Sequence, residues 1–82
     1  MHTNSDKLLF LLSEIFQVNK SEINNNSSPQ NTKTWDSFNT LKMVLELEKE
    51  FKITMPLEDV IEIKSVEDIK NLLISKGIDL DS

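Results

Sequence analysis

Between Asp36 and Pro56 runs SFNTLKMVLELEKEF, a stretch whose apolar side chains return at helical spacing. At about 100° per residue, Phe38, Leu41, Met43, Val44, Leu45, Leu47 and Phe51 fill a wide arc. Asn39, Lys42, Glu46, Lys49 and Glu50 share the narrower opposite side. A helix from Ser37 to about Phe51 with so broad an apolar face suits the centre of an assembly, packed by several neighbours. The rest of the chain agrees with a helical design. One glycine, Gly77, and two prolines, Pro29 and Pro56, leave little turn chemistry for hairpins, which argues against an all-β fold.

A first helix is predicted from about Asp6 to Val18. Leu8, Leu11, Leu12, Ile15 and Phe16 recur on one face, Leu9 and Val18 widen it, and Phe10 points largely away. Thr3, Asn4 and Ser5 are all capable N-caps. After Pro56, Leu57 to Ile61 is read as a short helix with Glu58 and Asp59 at its positive end. Ser65 to Asp68 resembles a capping box with Asp in the Glu position, and Val66, Ile69, Leu72 and Leu73 form the stripe of a last helix. Lys76 and Gly77 close it, and the tail from Ile78 is expected to fray.

The connection Asn19 to Asp36 is rich in Asn, Ser and Thr, whose side chains compete for backbone hydrogen bonds. Ile23 and Trp35 interrupt it and are expected to pin it to the core, with a short turn at Lys20 to Ile23. The expected architecture is all-α: a small four-helix bundle with three main helices, a short third helix and a long loop between the first two. Residues 1–82 read as a single domain.

Composition narrows the function. No cysteine means no disulfide framework and no thiolate metal site, and any thiol chemistry must come from an added group. A net charge of −5 disfavours nucleic acid and anionic lipid and favours partners with basic patches. No apolar run approaches membrane-spanning length, and the N-terminal residues lack the layout of a signal peptide, so a cytoplasmic protein is expected. The one histidine, His2, lies in a terminal segment and makes a poor general base. Glu46 and Glu50 share a solvent face that Glu48 does not, and no His or Cys completes a metal site. No Gly-rich phosphate loop is present. The chain offers no self-contained catalytic site, and a non-catalytic role is expected.

Ser37 remains. By residue type it is a favoured helix N-cap. The same position suits a phosphodiester, because a helix start presents unpaired N–H groups and the positive end of the dipole. At the mouth of a long loop it is also within reach of another enzyme.

At these residues the sequence resembles the acyl carrier proteins. Asp36-Ser37-Phe38, then NTLKMVLELEKEFKITMP, then EDVIEIKSVEDIKNLL, follow that family's Asp-Ser-Leu at the start of its second helix, its Glu-Glu-Phe-like segment and its Pro-led short third helix. The resemblance covers nearly the whole chain, most specifically Asp36 to Leu73. It implies a four-helix bundle in which Ser37 receives 4′-phosphopantetheine from coenzyme A, the arm's thiol then carrying acyl groups as thioesters. The thiol absent from the sequence would thus be imported. Asp36 and Phe38 fall where the phosphopantetheinyl transferase recognises the family, and Asp36 matches the acidic residue near the transferase metal. Lys42, Leu45, Glu48, Glu50 and Met55 fall on positions that dock partners. Val60, Ile63 and Ile69, with Met55, match apolar positions near the family's acyl cleft, although plain core packing explains each equally well.

Implied partners are the transferase and acyl-activating ligase, acyltransferase or ketosynthase-type enzymes, and a monomer is expected. The departures are informative. Phe38 replaces the usual Leu, Trp35 stands where a small residue is common, and Asn39 and Lys42 occupy positions commonly acidic. Rim charges alter partner choice more than fold. A carrier dedicated to one fatty-acid, polyketide or other specialised pathway is therefore expected. A peptidyl or aminoacyl carrier, and an unmodified helical adaptor in which Ser37 only caps its helix, remain open.

Overall fold

The computed structural model describes residues 3–82, and His2 lies outside them. Four α-helices follow one another: α1 (Asn4–Phe16), α2 (Ser37–Phe51), α3 (Leu57–Val60) and α4 (Val66–Ser75), with a 3-10 turn at Lys20–Glu22 after α1. No strand occurs among the described residues, and the all-α architecture is as expected.

Helix α1 begins two residues earlier than its apolar pattern suggests, because Thr3 is the cap that forms. The Thr3 hydroxyl accepts from the Asp6 N–H at 3.1 Å, and the Asp6 carboxylate accepts from the Thr3 N–H at 3.2 Å, a reciprocal capping box. The helix stops at Gln17, whose φ of 53° is left-handed. Val18 therefore falls beyond the helix, and its N–H returns to the Ser13 carbonyl. Helix α4 closes with a Schellman arrangement: Ile78 N–H to Leu73 carbonyl and Gly77 N–H to Ile74 carbonyl, both 3.0 Å. Gly77 has φ +90°, a conformation costly to a residue with a Cβ.

The tail does not fray. The first N–H groups of a helix have no partner within it, and here the tail supplies partners. Asn4 N–H donates to the Ser82 carbonyl at 2.6 Å, Ser5 N–H to the Leu80 carbonyl at 2.9 Å, and the Asn4 amide to the Asp79 carbonyl at 2.9 Å. Ile78 and Leu80 pack against the core beneath these bonds.

The core gathers Leu8, Leu11, Leu12, Ile15 and Phe16 of α1, Met43, Val44, Leu47 and Phe51 of α2, and Val66, Ile69 and Leu73 of α4. Trp35 and Met55 join from the connections. The wide apolar arc of α2 is divided rather than wholly enclosed. Its inner residues are buried, whereas Phe38, Leu41 and Leu45 are 70%, 63% and 65% exposed. Helix α3 is short and buries no residue. Val60 and Ile63 rest half-buried on the core, and a Lys76–Asp59 ion pair at 2.9 Å ties α3 to the end of α4.

The long loop is ordered by its polar side chains. The Asn24 side chain accepts from Asn26 N–H at 2.8 Å, the Ser27 hydroxyl from Asn24 N–H at 3.0 Å, and the Asn31 side chain from Ser28 N–H at 2.9 Å. The loop in turn caps α4. The Ser27 and Asn25 carbonyls accept from Val66 and Glu67 N–H at 2.9 and 3.1 Å, while Ser65 caps Asp68. Ile23 rests on the core, and Trp35 stacks on Phe16 with ring centroids 4.9 Å apart, so both pin the loop as expected.

Candidate functional site

Asp36 builds the site by starting α2. Its backbone is extended, with φ −108°, and its carboxylate accepts from the Asn39 N–H at 2.8 Å. Its carbonyl accepts from both the N–H and the hydroxyl of Thr40, each at 2.8 Å. The preceding chain is held as firmly. The Asn39 amide donates to the Thr34 carbonyl at 2.7 Å, the Trp35 N–H donates to the Thr32 carbonyl at 3.0 Å, and the Trp35 ring is only 4% exposed. The turn leading into α2 is thus clamped from both sides, by its backbone and by the core.

Ser37 is the first residue of the helix, not its cap. Asp36 performs the capping, and the exposed Ser37 hydroxyl has no hydrogen-bond partner among the described residues. With Asn39 N–H bound to the Asp36 carboxylate, the N–H groups of Ser37 and Phe38 are the open donors of the first turn. Beside the hydroxyl lies a groove of about 460 Å3 lined by Pro29, Trp35, Asp36, Ser37, Thr40 and Leu41.

Phe38 projects from the same turn, and the Lys42 ammonium stands 5.9 Å from its ring centroid. Lys42, Leu45 and Glu50 are exposed along α2. The two other residues expected on a docking face are placed differently. Met55 is 5% exposed and belongs to the core. Glu48 is half-buried, and its carboxylate accepts from the Met55 N–H at 2.8 Å, bracing the α2–α3 connection. Of the positions expected near a cleft, Ile69 is fully enclosed in the core, while Val60 and Ile63 pack on it from outside.

Leu41, Thr40 and Pro29 were not singled out from the sequence as neighbours of Ser37. Thr40 and Leu41 stand three and four residues on, the spacing that shares one helix face, so that signal was available. Pro29 had none, because its approach depends on how the loop folds back. Among the described residues no cluster of His, Cys, Asp or Glu is arranged to hold a metal, and no helix is long and apolar enough to cross a membrane.

Residues 6–73 match the family described as the phosphopantetheine attachment site. A protein named acyl carrier protein, from Azobacteroides pseudotrichonymphae genomovar. CFP2, is 35% identical over 65 residues, covering 78% of this chain and 76% of that protein. The chain belongs to the acyl carrier protein family. It is a carrier protein, and the prosthetic group of the family is 4′-phosphopantetheine. The start of α2 in this carrier fits such a group. A serine hydroxyl with no structural duty, two open N–H donors and an apolar-walled groove stand together there.

Proposed function

We propose that Ser37 is the attachment point of 4′-phosphopantetheine and that the protein hands acyl intermediates, held as thioesters, to partner enzymes of a dedicated pathway. The observation that carries this reading is the division of labour at the helix start: Asp36 caps, and Ser37 is left exposed and unbonded. In the transfer, Ser37 Oγ attacks the phosphorus of coenzyme A next to the pantetheine. The pyrophosphate P–O bond breaks, adenosine 3′,5′-bisphosphate leaves, and the serine proton passes to a base of the transferase. The bound group supplies the thiol that the cysteine-free chain lacks. The new phosphodiester then lies at the open N–H groups of Ser37 and Phe38, where a negative charge is favoured.

The chain's own contribution is presentation, without a catalytic group. Asp36 and Phe38 flank the serine on the surface that a transferase must meet. Lys42, Leu45 and Glu50, together with the exposed Phe38 and Leu41, give α2 an outer face that is apolar and of mixed charge rather than uniformly acidic. That face supports a dedicated set of acyl-handling partners, since surface charge sets encounter rate and discrimination. Turnover by the synthase of ordinary fatty-acid synthesis equal to that of its own carrier would contradict this specialisation.

Peptide mapping tests the attachment. After incubation with coenzyme A and a broad-specificity phosphopantetheinyl transferase, trypsin releases the segment 34–42, which contains Ser37 as its single serine. Phosphopantetheine on that peptide supports the assignment, and modification of any other peptide overturns it.

A further inference from the structure

The groove beside Ser37 belongs to the loop side of α2. Its walls are Pro29 and Trp35 from the long connection and Leu41 from the helix, with Asp36, Ser37 and Thr40 at its edge. At about 460 Å3 it falls within the range of small-molecule sites, and its walls are mainly apolar. Leu41 is 63% exposed, so its side chain covers the groove without being used by the core. Two walls are held in place by contacts outside the groove: Trp35 stacks on Phe16 and donates its N–H to the Thr32 carbonyl, and α2 is capped by Asp36.

We propose that the pantetheine arm, once on Ser37, folds back into the groove between Pro29, Trp35 and Leu41 instead of extending into solvent. This rests on the reading that Ser37 carries the arm, and it adds where the arm rests. The argument is one of matching order along a tether. The carbon chain next to the phosphate carries two geminal methyl groups, so the most apolar part of the arm is fixed close to Ser37. The apolar surface nearest in sequence on the serine's own helix face is Leu41, four residues on, and Pro29 and Trp35 line the same groove. Next along the arm come a hydroxyl and an amide. The Thr40 hydroxyl, which donates to the Asp36 carbonyl, keeps acceptor capacity at the groove's edge for one of their protons. Because the tether makes the contact intramolecular, at an effective concentration on the order of millimolar, weak affinity for the groove suffices to hold the arm there. A partner enzyme must then draw the arm out, which makes Leu41 and Pro29 part of the hand-over.

The test uses the full isotopically labelled chain, loaded by a transferase with coenzyme A and followed by intact mass before any spectrum is recorded. Nuclear Overhauser contacts are expected from the arm's geminal methyls to the Leu41 methyls, the Pro29 ring and the Trp35 indole. The emission of Trp35, the single tryptophan, is expected to shift on loading. In loaded Leu41→Ala the contacts to Pro29 and Trp35 weaken several-fold and the arm's signals sharpen. A fully loaded protein whose arm shows free-chain mobility and no such contacts overturns the groove and leaves the attachment at Ser37 intact. Failure to load at all overturns the attachment, and the groove with it.

Discussion

The Asp36 carboxylate accepts the Asn39 backbone N–H at 2.8 Å and thereby takes the capping duty that Ser37, by residue type, was equally suited to perform. A serine needed by its helix is poorly available for modification, since its hydroxyl is already committed. Here the commitment falls one residue earlier. The residue that caps the helix and the serine proposed to carry the prosthetic group are therefore distinct, and the proposed attachment asks nothing of the cap.

That separation is measurable by denaturation. Asp36→Ala removes the cap and is expected to cost about 1 kcal/mol, within the usual range for losing such a residue, whereas Asp36→Asn retains most of it. Ser37→Ala removes an exposed hydroxyl without a partner and is expected to change stability by no more than about 0.5 kcal/mol. Urea unfolding of the three variants checks this. A Ser37→Ala loss as large as that of Asp36→Ala would mean that the serine is structural.

Backbone hydrogen exchange should distinguish the starts of α2 and α4. The Val66 and Glu67 N–H groups are bound by loop carbonyls, so they are expected to exchange slowly. Those of Ser37 and Phe38 are open and are expected to exchange fast. Equal protection at the two helix starts would contradict the described loop.

Trp35 anchors the approach to the site. Its ring is 4% exposed and stacks on Phe16. Trp35→Ala is expected to cost about 3–5 kcal/mol, enough to unfold a domain of ordinary marginal stability, while Trp35→Phe keeps part of the stack and costs less. Thermal unfolding orders the three proteins, and loading of the Phe variant reports whether the turn before Ser37 stays in place.

The tail carries a pH dependence. The Ser82 hydroxyl, and then the Asp81 N–H, donate to the Asp79 carboxylate and hold it below the usual aspartate range. A carboxyl whose folded value is depressed adds stability above the ordinary value and loses it as pH falls through the lowered one. Acidification into and below the aspartate range is therefore expected to loosen residues 79–82 before the core. Amide shifts of Asp81 and Ser82 against pH follow this, and Asp79→Asn should remove the part of the low-pH change that comes from the Asp79 carboxylate.

Much of this was legible in the chain. The apolar repeat gave the helices and most of the core, because residues at three- and four-residue spacing must share a face whatever their neighbours. The boundaries of α2 were likewise readable, since Asp36-Ser37 and the end of the repeat at Phe51 both mark them. What periodicity cannot do is distinguish apolar residues that meet a neighbour from those that face out. Phe38, Leu41 and Leu45 fit the same arc as Met43 and Leu47, yet they are exposed, because the core takes up only the inner part of that arc. Met55 and Glu48 show the converse: their hydrogen bond places the α2–α3 connection inward, and only a folded chain reveals that. The docking of the tail on α1 and of the loop on α4 was also hidden, because backbone carbonyls carry no sequence signature. At the site, the sequence left Ser37 as either cap or attachment point. The hydrogen bond from Asn39 to Asp36 decides the first half of that choice.

The most direct test of the central claim is intact mass. Wild-type protein and Ser37→Ala are incubated side by side with coenzyme A and a broad-specificity phosphopantetheinyl transferase. Wild type is expected to gain one phosphopantetheine, or to carry it already, and the folded Ser37→Ala variant to gain none. A folded, unmodified wild type that gains nothing, or a variant that gains the group as readily as wild type, would contradict the assignment of Ser37.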